Sequence, residues 1–276
     1  MGLYFTSINS GSNGNCYYVG NDQEAVLVDI GLTCKEVERR MARLNLQIDK
    51  VKAIFISHEH TDHIKGLSVF ARKYKLPVYI STSTLKSSKL LLDENSVRPI
   101  QHLEPVMIGG LKIAPFSKFH DAADPYSFTI EYNDVRVGVF TDIGAVCERL
   151  INQFKTCHAV FLEANYDTEM MENGRYPYFL KRRIMGGHGH LSNKQALELF
   201  LNHKSEHLSH LLLSHLSKDN NDPQLVEKLF KTVCGDTFVK VASRYEESEV
   251  YFVGQQTQPT YCFNPEDYQP EQLNLF

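Results

Sequence analysis

The segment Ile56-Ser57-His58-Glu59-His60-Thr61-Asp62-His63 packs three histidines and one aspartate into positions 58–63. Imidazole nitrogens and carboxylate oxygens suit zinc, iron or manganese. The apolar run at 51–56 comes directly before and predicts a buried strand. His58 and His60 are two apart, so an extended backbone can turn both to one side. Asp62 and His63 follow where the chain should bend. One short loop can therefore offer two nitrogens to one metal, and a carboxylate plus a nitrogen to a second.

Three later segments place a metal-capable side chain where an apolar strand should meet a loop. They are Ser117-Lys118-Phe119-His120-Asp121, Val139-Phe140-Thr141-Asp142-Ile143-Gly144 and Leu211-Leu212-Leu213-Ser214-His215-Leu216-Ser217. The HxHxDH loop followed by His120, Asp142 and His215 in that order resembles the metallo-β-lactamase superfamily of binuclear metallohydrolases. That resemblance implies two divalent metal ions, zinc, manganese or iron. His58, His60 and His120 would hold one, and Asp62, His63 and His215 the other. Asp142 would bridge both, and Asp62 counts among the catalytic groups as well. Asp29, in Leu27-Val28-Asp29-Ile30-Gly31, matches the family's first motif and would orient the loop histidines. Two metals roughly 3.5–4 Å apart can hold a bridging hydroxide and clamp the oxygens of an in-line displacement. No serine or cysteine nucleophile is then needed.

The substrate class rests on other segments. His188-Gly189-His190-Leu191-Ser192-Asn193-Lys194-Gln195-Ala196 resembles the helix-leading His-Ser motif of tRNase Z-type phosphodiesterases. There the histidine lies beside the metals and can protonate a leaving alkoxide. His190 is the first candidate for that role and His188 the second. Ser192 is a candidate for substrate contact, and Asn193 or Ser192 is a candidate for the cap of the following helix. Tyr176-Pro177-Tyr178-Phe179-Leu180-Lys181-Arg182-Arg183 interleaves aromatics with a basic run. Lys181, Arg182 and Arg183 can neutralise phosphates, and aromatics can stack on exposed bases. A solvated helix face explains the same residues equally well.

Ser10-Gly11-Ser12-Asn13-Gly14-Asn15-Cys16 and Glu163-Ala164-Asn165-Tyr166-Asp167 make residues 2–255 look most like the YycJ (WalJ)-type branch, a bacterial group described as 5′→3′ DNA exonucleases. Tyr166 departs from that pattern, which leads one to expect histidine there. A flavodiiron enzyme would carry Glu in place of His60 and a flavin domain. The β-CASP nucleases carry a long insertion that does not fit this length. The expectation is a binuclear metal-dependent phosphodiesterase, a 5′→3′ DNA exonuclease linked to repair or replication. The alternatives are a small-molecule phosphodiesterase for cyclic or dinucleotide phosphates, a thioester hydrolase resembling glyoxalase II, and a non-catalytic metal-bound adaptor. A thiolate leaves easily and needs no strong acid, so His190 counts against the thioesterase.

These groups need a large core to position them. The chain has 276 residues, 42% of them hydrophobic, and no repeat or linker divides it. Strands are expected at 3–8, 16–19, 25–29, 51–57, 77–81, 126–131, 135–141, 159–163, 208–214 and 238–242, with a strand group across 106–119. Helices are expected at 34–44, 64–75, 145–154, 192–202 and 222–233. Asn133-Asp134 suits a hairpin turn. The pattern alone gives α/β or α+β. The family resemblance implies one four-layer αββα sandwich over 1–262 and a tail over 263–276.

Net charge is −4, so any contact with DNA must use a local patch. The six scattered cysteines read as reduced thiols. No secretory leader pattern and no bilayer-length apolar run stand out, so the cytoplasm is the expected compartment and no membrane partner is expected. The tail ends Gln272-Leu273-Asn274-Leu275-Phe276. This QLxLF pattern resembles the peptide by which bacterial proteins dock into the replication sliding clamp. Gln272 would bond at the pocket rim, with Leu273, Leu275 and Phe276 supplying the apolar anchors.

Overall fold

The computed structural model describes residues 1–254. The tail with Gln272, Leu273, Leu275 and Phe276 lies outside the described residues. Strands β1 (Gly2–Asn9), β2 (Cys16–Gly20), β3 (Ala25–Val28), β4 (Val51–Phe55), β5 (Val78–Ile80) and β6 (Val97–Pro99) belong to one sheet. β7 (Val106–Ile108), β8 (Leu111–Ser117), β9 (Tyr126–Tyr132), β10 (Val135–Phe140), β11 (Ala159–Glu163), β12 (His210–Ser214) and β13 (Phe238–Val241) form a second, and β14 (Tyr251–Gly254) returns to the first. The orders are β14-β1-β2-β3-β4-β5-β6 and β13-β12-β11-β10-β9-β8-β7.

Strand alternation explains the layers. In β3, Val26 and Val28 point into the core between the sheets, while Ala25 and Leu27 point outward under helices. Between the sheets, Phe161 meets Phe5 at 5.8 Å and Tyr17 at 4.8 Å, and Phe55 meets Phe128 at 5.6 Å between ring centres. The outer face of the first sheet is covered by α1 (Cys34–Arg43) and α3 (Leu67–Tyr74). α5 (Glu148–Phe154), α8 (Asn193–His203) and α9 (Pro223–Lys231) cover the second. Short helices α2 (Thr61–Ile64), α4 (Thr82–Ser88), α6 (Thr168–Asn173) and α7 (Tyr178–Met185) lie in the connections. This is the four-layer αββα sandwich, with helices outside two mixed sheets.

Several expected elements change form. The helix expected at 64–75 divides into α2 and α3 at Gly66, where a Cβ would lie 2.0 Å from the Leu32 carbonyl oxygen. The 106–119 group is a hairpin, β7 and β8, broken at Gly109-Gly110. The 145–154 helix starts only at Glu148. At the expected hairpin turn, Asn133 and Asp134 both take left-handed φ values, 48° and 63°, the pair a type I′ turn requires. Cys16, Cys34, Cys147, Cys157 and Cys234 are unpaired. No described helix is long and apolar enough to cross a membrane.

β3 to β6 run parallel, as do β10 to β13. The loops that leave the C-terminal ends of β3, β4, β10, β11 and β12 carry Asp29, His58 to His63, Asp142 and His215, with Glu163 the last residue of β11. Ligand sites of open parallel sheets form at such ends.

Candidate metal centre

The first ligand group is built from nitrogens. His60 Nδ1 lies 3.0 Å from His58 Nε2 and 3.3 Å from His120 Nε2. The far sides of two of these rings are committed as donors. His120 Nδ1 donates to the Gly189 carbonyl at 3.0 Å. His58 Nδ1 donates to Ser57 Oγ at 2.9 Å, because that hydroxyl itself donates to Asp29 Oδ2 at 2.7 Å. Their Nε2 atoms therefore present lone pairs to one point.

The second group forms beside it. Asp62 Oδ2 lies 3.6 Å from His63 Nε2 and 3.5 Å from His215 Nε2. His63 Nδ1 donates to Asp29 Oδ2 at 2.7 Å, and Asp29 Oδ1 accepts from Ser57 N at 2.8 Å. Asp142 stands between the groups: Oδ2 is 3.1 Å from His63 Nε2, and Oδ1 is 3.8 Å from His120 Nε2. With its own Nδ1 proton on Asp29, His63 sets a lone pair against the Asp142 carboxylate. Two acceptors at that distance need a proton or a cation between them. Asp142 Oδ2 and His215 Nε2 are also buried without a hydrogen-bond partner among the described residues. The donor set thus fits divalent cations of the zinc, manganese or iron kind.

The local backbone is strained to achieve this. Asp29, Asp142 and His215 have φ of 63°, 54° and 57°, a left-handed conformation that costs a non-glycine residue of order 1–3 kcal/mol. Each reverses the chain at a strand end and turns its side chain into the site. Gly31 lets the metal loop pass closely, since a Cβ there would lie 1.7 Å from the Asp62 carbonyl oxygen.

Charge follows the geometry. Burial depresses His58 well below its ordinary range, with His63 and Lys118 adding to the effect. Burial also brings His120 down to about 4. At His63 burial opposes the charge, but Asp142, Asp29 and Asp62 outweigh it and raise the group to about 10. At Asp142 burial favours the neutral form, yet His215 and His63 hold the carboxyl well below its usual range. Lys118 is buried behind the cluster, its ammonium donating to the Thr141 carbonyl at 2.7 Å.

Other expected residues fall in different places. His190 stands beside the centre: Nδ1 donates to Glu163 Oε1 at 2.8 Å and lies 3.6 Å from Asp142 Oδ1. Its Nε2 has no hydrogen-bond partner among the described residues. His188 is exposed, packs edge-on against Phe119 and lies outside the ligand groups. Ser192 is the N-cap of α8, in a capping box with Gln195, so its hydroxyl is committed to the helix. On α7, Tyr178 and Phe179 are each 74% exposed. Arg182 lies over Tyr178, Lys181 donates to the Glu172 carbonyl at 2.8 Å, and Arg183 is ion-paired with Asp121. Tyr166 is buried, and its carbonyl accepts from Asn193 N at 2.8 Å.

Sequence reasoning missed Glu163 as a functional group. Its carboxylate is fully buried at the end of β11. Oε1 accepts from His190 Nδ1 at 2.8 Å and His215 Nδ1 at 3.0 Å, and Oε2 from Ile143 N at 2.7 Å and Leu191 N at 3.1 Å. Burial resists its ionisation, yet His190 and His215 hold it down to about 2. It fixes the Nδ1–H tautomer of both rings. The available signal was the same as for Asp29 and Asp142: an acid ending an apolar strand.

Residues 25–215 match the family described as the Beta-lactamase superfamily domain. The chain is 36% identical over 251 residues to exodeoxyribonuclease YycJ of Bacillus anthracis, covering 89% of this chain and 94% of that one. It is 32% identical over 230 residues to exodeoxyribonuclease WalJ of Streptococcus pneumoniae, covering 82% and 86%. The metallo-β-lactamase fold protein YhfI from Bacillus subtilis superposes with a TM-score of 0.70 at 19% identity, over 92% of this chain and 100% of that one. The sandwich, the cluster of metal-capable side chains at its strand ends and these relatives together place the chain in the metallo-β-lactamase superfamily, as a metal-dependent hydrolase similar to exodeoxyribonucleases YycJ and WalJ.

Proposed function

We propose that the protein is a binuclear metal-dependent phosphodiesterase that degrades DNA from the 5′ end, in repair or replication-linked processing. The observation that carries this reading is Asp142, whose two oxygens face different ligand groups, with His190 3.6 Å away on the same carboxylate. Two exodeoxyribonucleases align with most of the chain and supply the polymer class. When bound, two divalent ions would supply Lewis acidity and an activated water at neutral pH. His58, His60 and His120 would hold one ion, and Asp62, His63 and His215 the other, with Asp142 shared.

The protein's own groups account for the remaining chemistry. Asp29 and Ser57 keep the metal-facing nitrogens of His58 and His63 unprotonated by fixing the proton on Nδ1. Glu163 does the same for His215 and holds His190 beside the centre. His190 is the group placed to give a proton to the leaving 3′-alkoxide, which leaves poorly without one. The exposed rings of Tyr178 and Phe179 and the Arg182 guanidinium form a surface suited to stacked bases and phosphates. A small-molecule phosphodiesterase has no use for such a surface.

Digestion of 5′-labelled and 3′-labelled duplex and single-stranded DNA, beside matched RNA, tests the reading. With manganese or zinc, wild type is expected to release nucleotides from the 5′ end and Asp62→Ala to release none. Intact polymers in every lane would sink it. The QLxLF peptide is proposed to dock the enzyme on a sliding clamp. Removing residues 272–276 is expected to end co-elution with the clamp and leave digestion of linear DNA unchanged. Continued co-elution would refute that part.

A further inference from the structure

The glycine-rich loop between β1 and β2 does more than turn the chain. Ser10, Asn15 and Tyr17 are all buried, at 1%, 0% and 0% exposure. They form a directed chain of hydrogen bonds. His215 N donates to Ser10 Oγ at 2.8 Å, and Ser10 Oγ donates in turn to Tyr17 Oη at 2.8 Å. Tyr17 Oη donates to Asn15 Oδ1 at 3.2 Å, and Gly11 N donates to the same oxygen at 3.0 Å. Two donors on one atom decide which end of the amide is oxygen. The Asn15 Nδ2 group must therefore face the metal centre. It lies 3.3 Å from Asp62 Oδ2 and 3.1 Å from His63 Nε2. The backbone adds a further tie, Asn15 N donating to the Asp62 carbonyl at 2.7 Å.

The reach of this chain is selective. It touches Asp62, His63 and His215, the whole second group, and among the described residues it makes no hydrogen bond to His58, His60 or His120. Asp29 and Ser57, by contrast, support His58 and His63 and so serve both groups. We propose that Ser10, Tyr17 and Asn15 are positioning residues for the second metal site alone, setting the affinity of that ion independently of the first. The inference rests on the binuclear reading. An amide N–H holds the Asp62 carboxylate, whose oxygen keeps a lone pair for the ion, and the amide packs beside His63 Nε2, whose one lone pair is left for the same ion. The Ser10 hydroxyl pins the left-handed backbone at His215. Partners that orient metal ligands typically carry 10–100-fold in metal affinity.

The test is metal content per chain across a series of zinc–chelator buffers, for wild type, Tyr17→Phe and Asn15→Ala. Each is measured in the full chain, alone and combined with His60→Ala or His215→Ala. The single ligand variants leave one ion each. With His60→Ala, adding Tyr17→Phe is expected to weaken the remaining, second ion by about 10–100-fold. With His215→Ala, the same change is expected to leave the remaining, first ion unaltered. Tyr17→Phe keeps the ring that packs on Phe161, so it carries the test even if Asn15→Ala fails to fold. The unfolding midpoint of the metal-free variant separates a general loss of stability from a loss at one site. Equal weakening of both ions, or of neither, overturns the inference. A wild type that never holds more than one ion overturns the binuclear reading itself, and this inference with it.

Discussion

Glu163→Gln is the most exacting perturbation of the site, because it changes almost no volume. The carboxylate accepts four hydrogen bonds, two on each oxygen. Glutamine has one oxygen. If that oxygen keeps Ile143 N and Leu191 N, the new NH2 faces His190 and His215. Both rings must then move their proton to Nε2. His215 would present an N–H where its lone pair stands 3.5 Å from Asp62 Oδ2, and could no longer bind a cation there. If the amide turns over, the NH2 meets two backbone N–H groups, and two buried donors lose their acceptor. The first pose keeps its hydrogen bonds by giving up the tautomer the site uses, and the second loses two, at about 1–3 kcal/mol each.

The expected consequences differ by observable. Metal-free Glu163→Gln should unfold at lower denaturant than wild type, by at most about 2–6 kcal/mol, the loss the second pose would bring. The ion shared with His215 should be held about 10–100-fold more weakly. With that ion restored by excess metal, the turnover of DNA should remain about 10²–10⁴-fold low, because the carboxylate that orients His190 through Nδ1 and balances the charge of its proton-donating form is gone. Denaturant titration, metal analysis and single-turnover digestion measure the three separately. A variant that keeps both ions through the same chelator series and cleaves at the wild-type rate would refute the role given to Glu163, and with it the tautomer argument for His190.

Further outcomes follow from the same geometry. Asp62→Ala is expected to abolish digestion and also to lower the stability of the metal-free fold, since burial opposes the Asp62 charge but His63 and His215 outweigh it and hold the carboxyl below its usual range; calorimetry beside the digestion assay checks both. Phe161→Ala empties the contact between Phe5 and Tyr17 and is expected to cost about 3–5 kcal/mol in urea unfolding, wherever the metals stand. His63 is raised from 6.5 to about 10 in the fold, so its contribution to stability is complete below pH 6.5 and lost as pH climbs toward 10. The metal-free protein should therefore melt progressively lower across that window, and the loaded protein should not, because a cation takes the proton's place. Arg182→Ala should weaken DNA binding and lower the salt slope by about one. Arg183→Ala should do so less, since Asp121 already pairs that side chain.

The candidate ligand loop was legible because four metal-capable side chains lie within six positions and follow an apolar strand. His120, Asp142 and His215 were legible by their strand-end places taken together with the family order they follow, and Asp29 by the family's first motif. The relay through Ser10 and Asn15 was not. Its partners are 205 and 48 residues away, and a glycine- and serine-rich stretch reads locally as a turn. His188 and His190 could not be separated in the sequence, because two residues of irregular loop leave the direction of each ring undetermined. The structure turns one to Glu163 and the other to Phe119. Ser192 shows how one residue type serves two purposes: the signal that suggested substrate contact is also the signal of a capping box. The edge strands β6 and β14, of three and four residues, are too short to produce a readable alternation.

Strand ends carry this site for a physical reason. A parallel strand must reverse direction where it stops, and a left-handed residue makes the sharpest reversal available. Glycine would do so without strain, as the turn at Gly109 does with φ of 56°. Asp29, Asp142 and His215 accept the strain instead, because glycine has no side chain to offer the centre. Their side chains are then aimed by backbone that is itself held in the sheets and cannot drift. Asp29 is held by Phe55 of β4 through its N–H at 2.9 Å, and His215 by Ser10 through its own at 2.8 Å. Strain of this kind persists only where the surroundings over-determine it. Three such residues around one cluster therefore mark a centre whose geometry is set at the expense of local backbone stability.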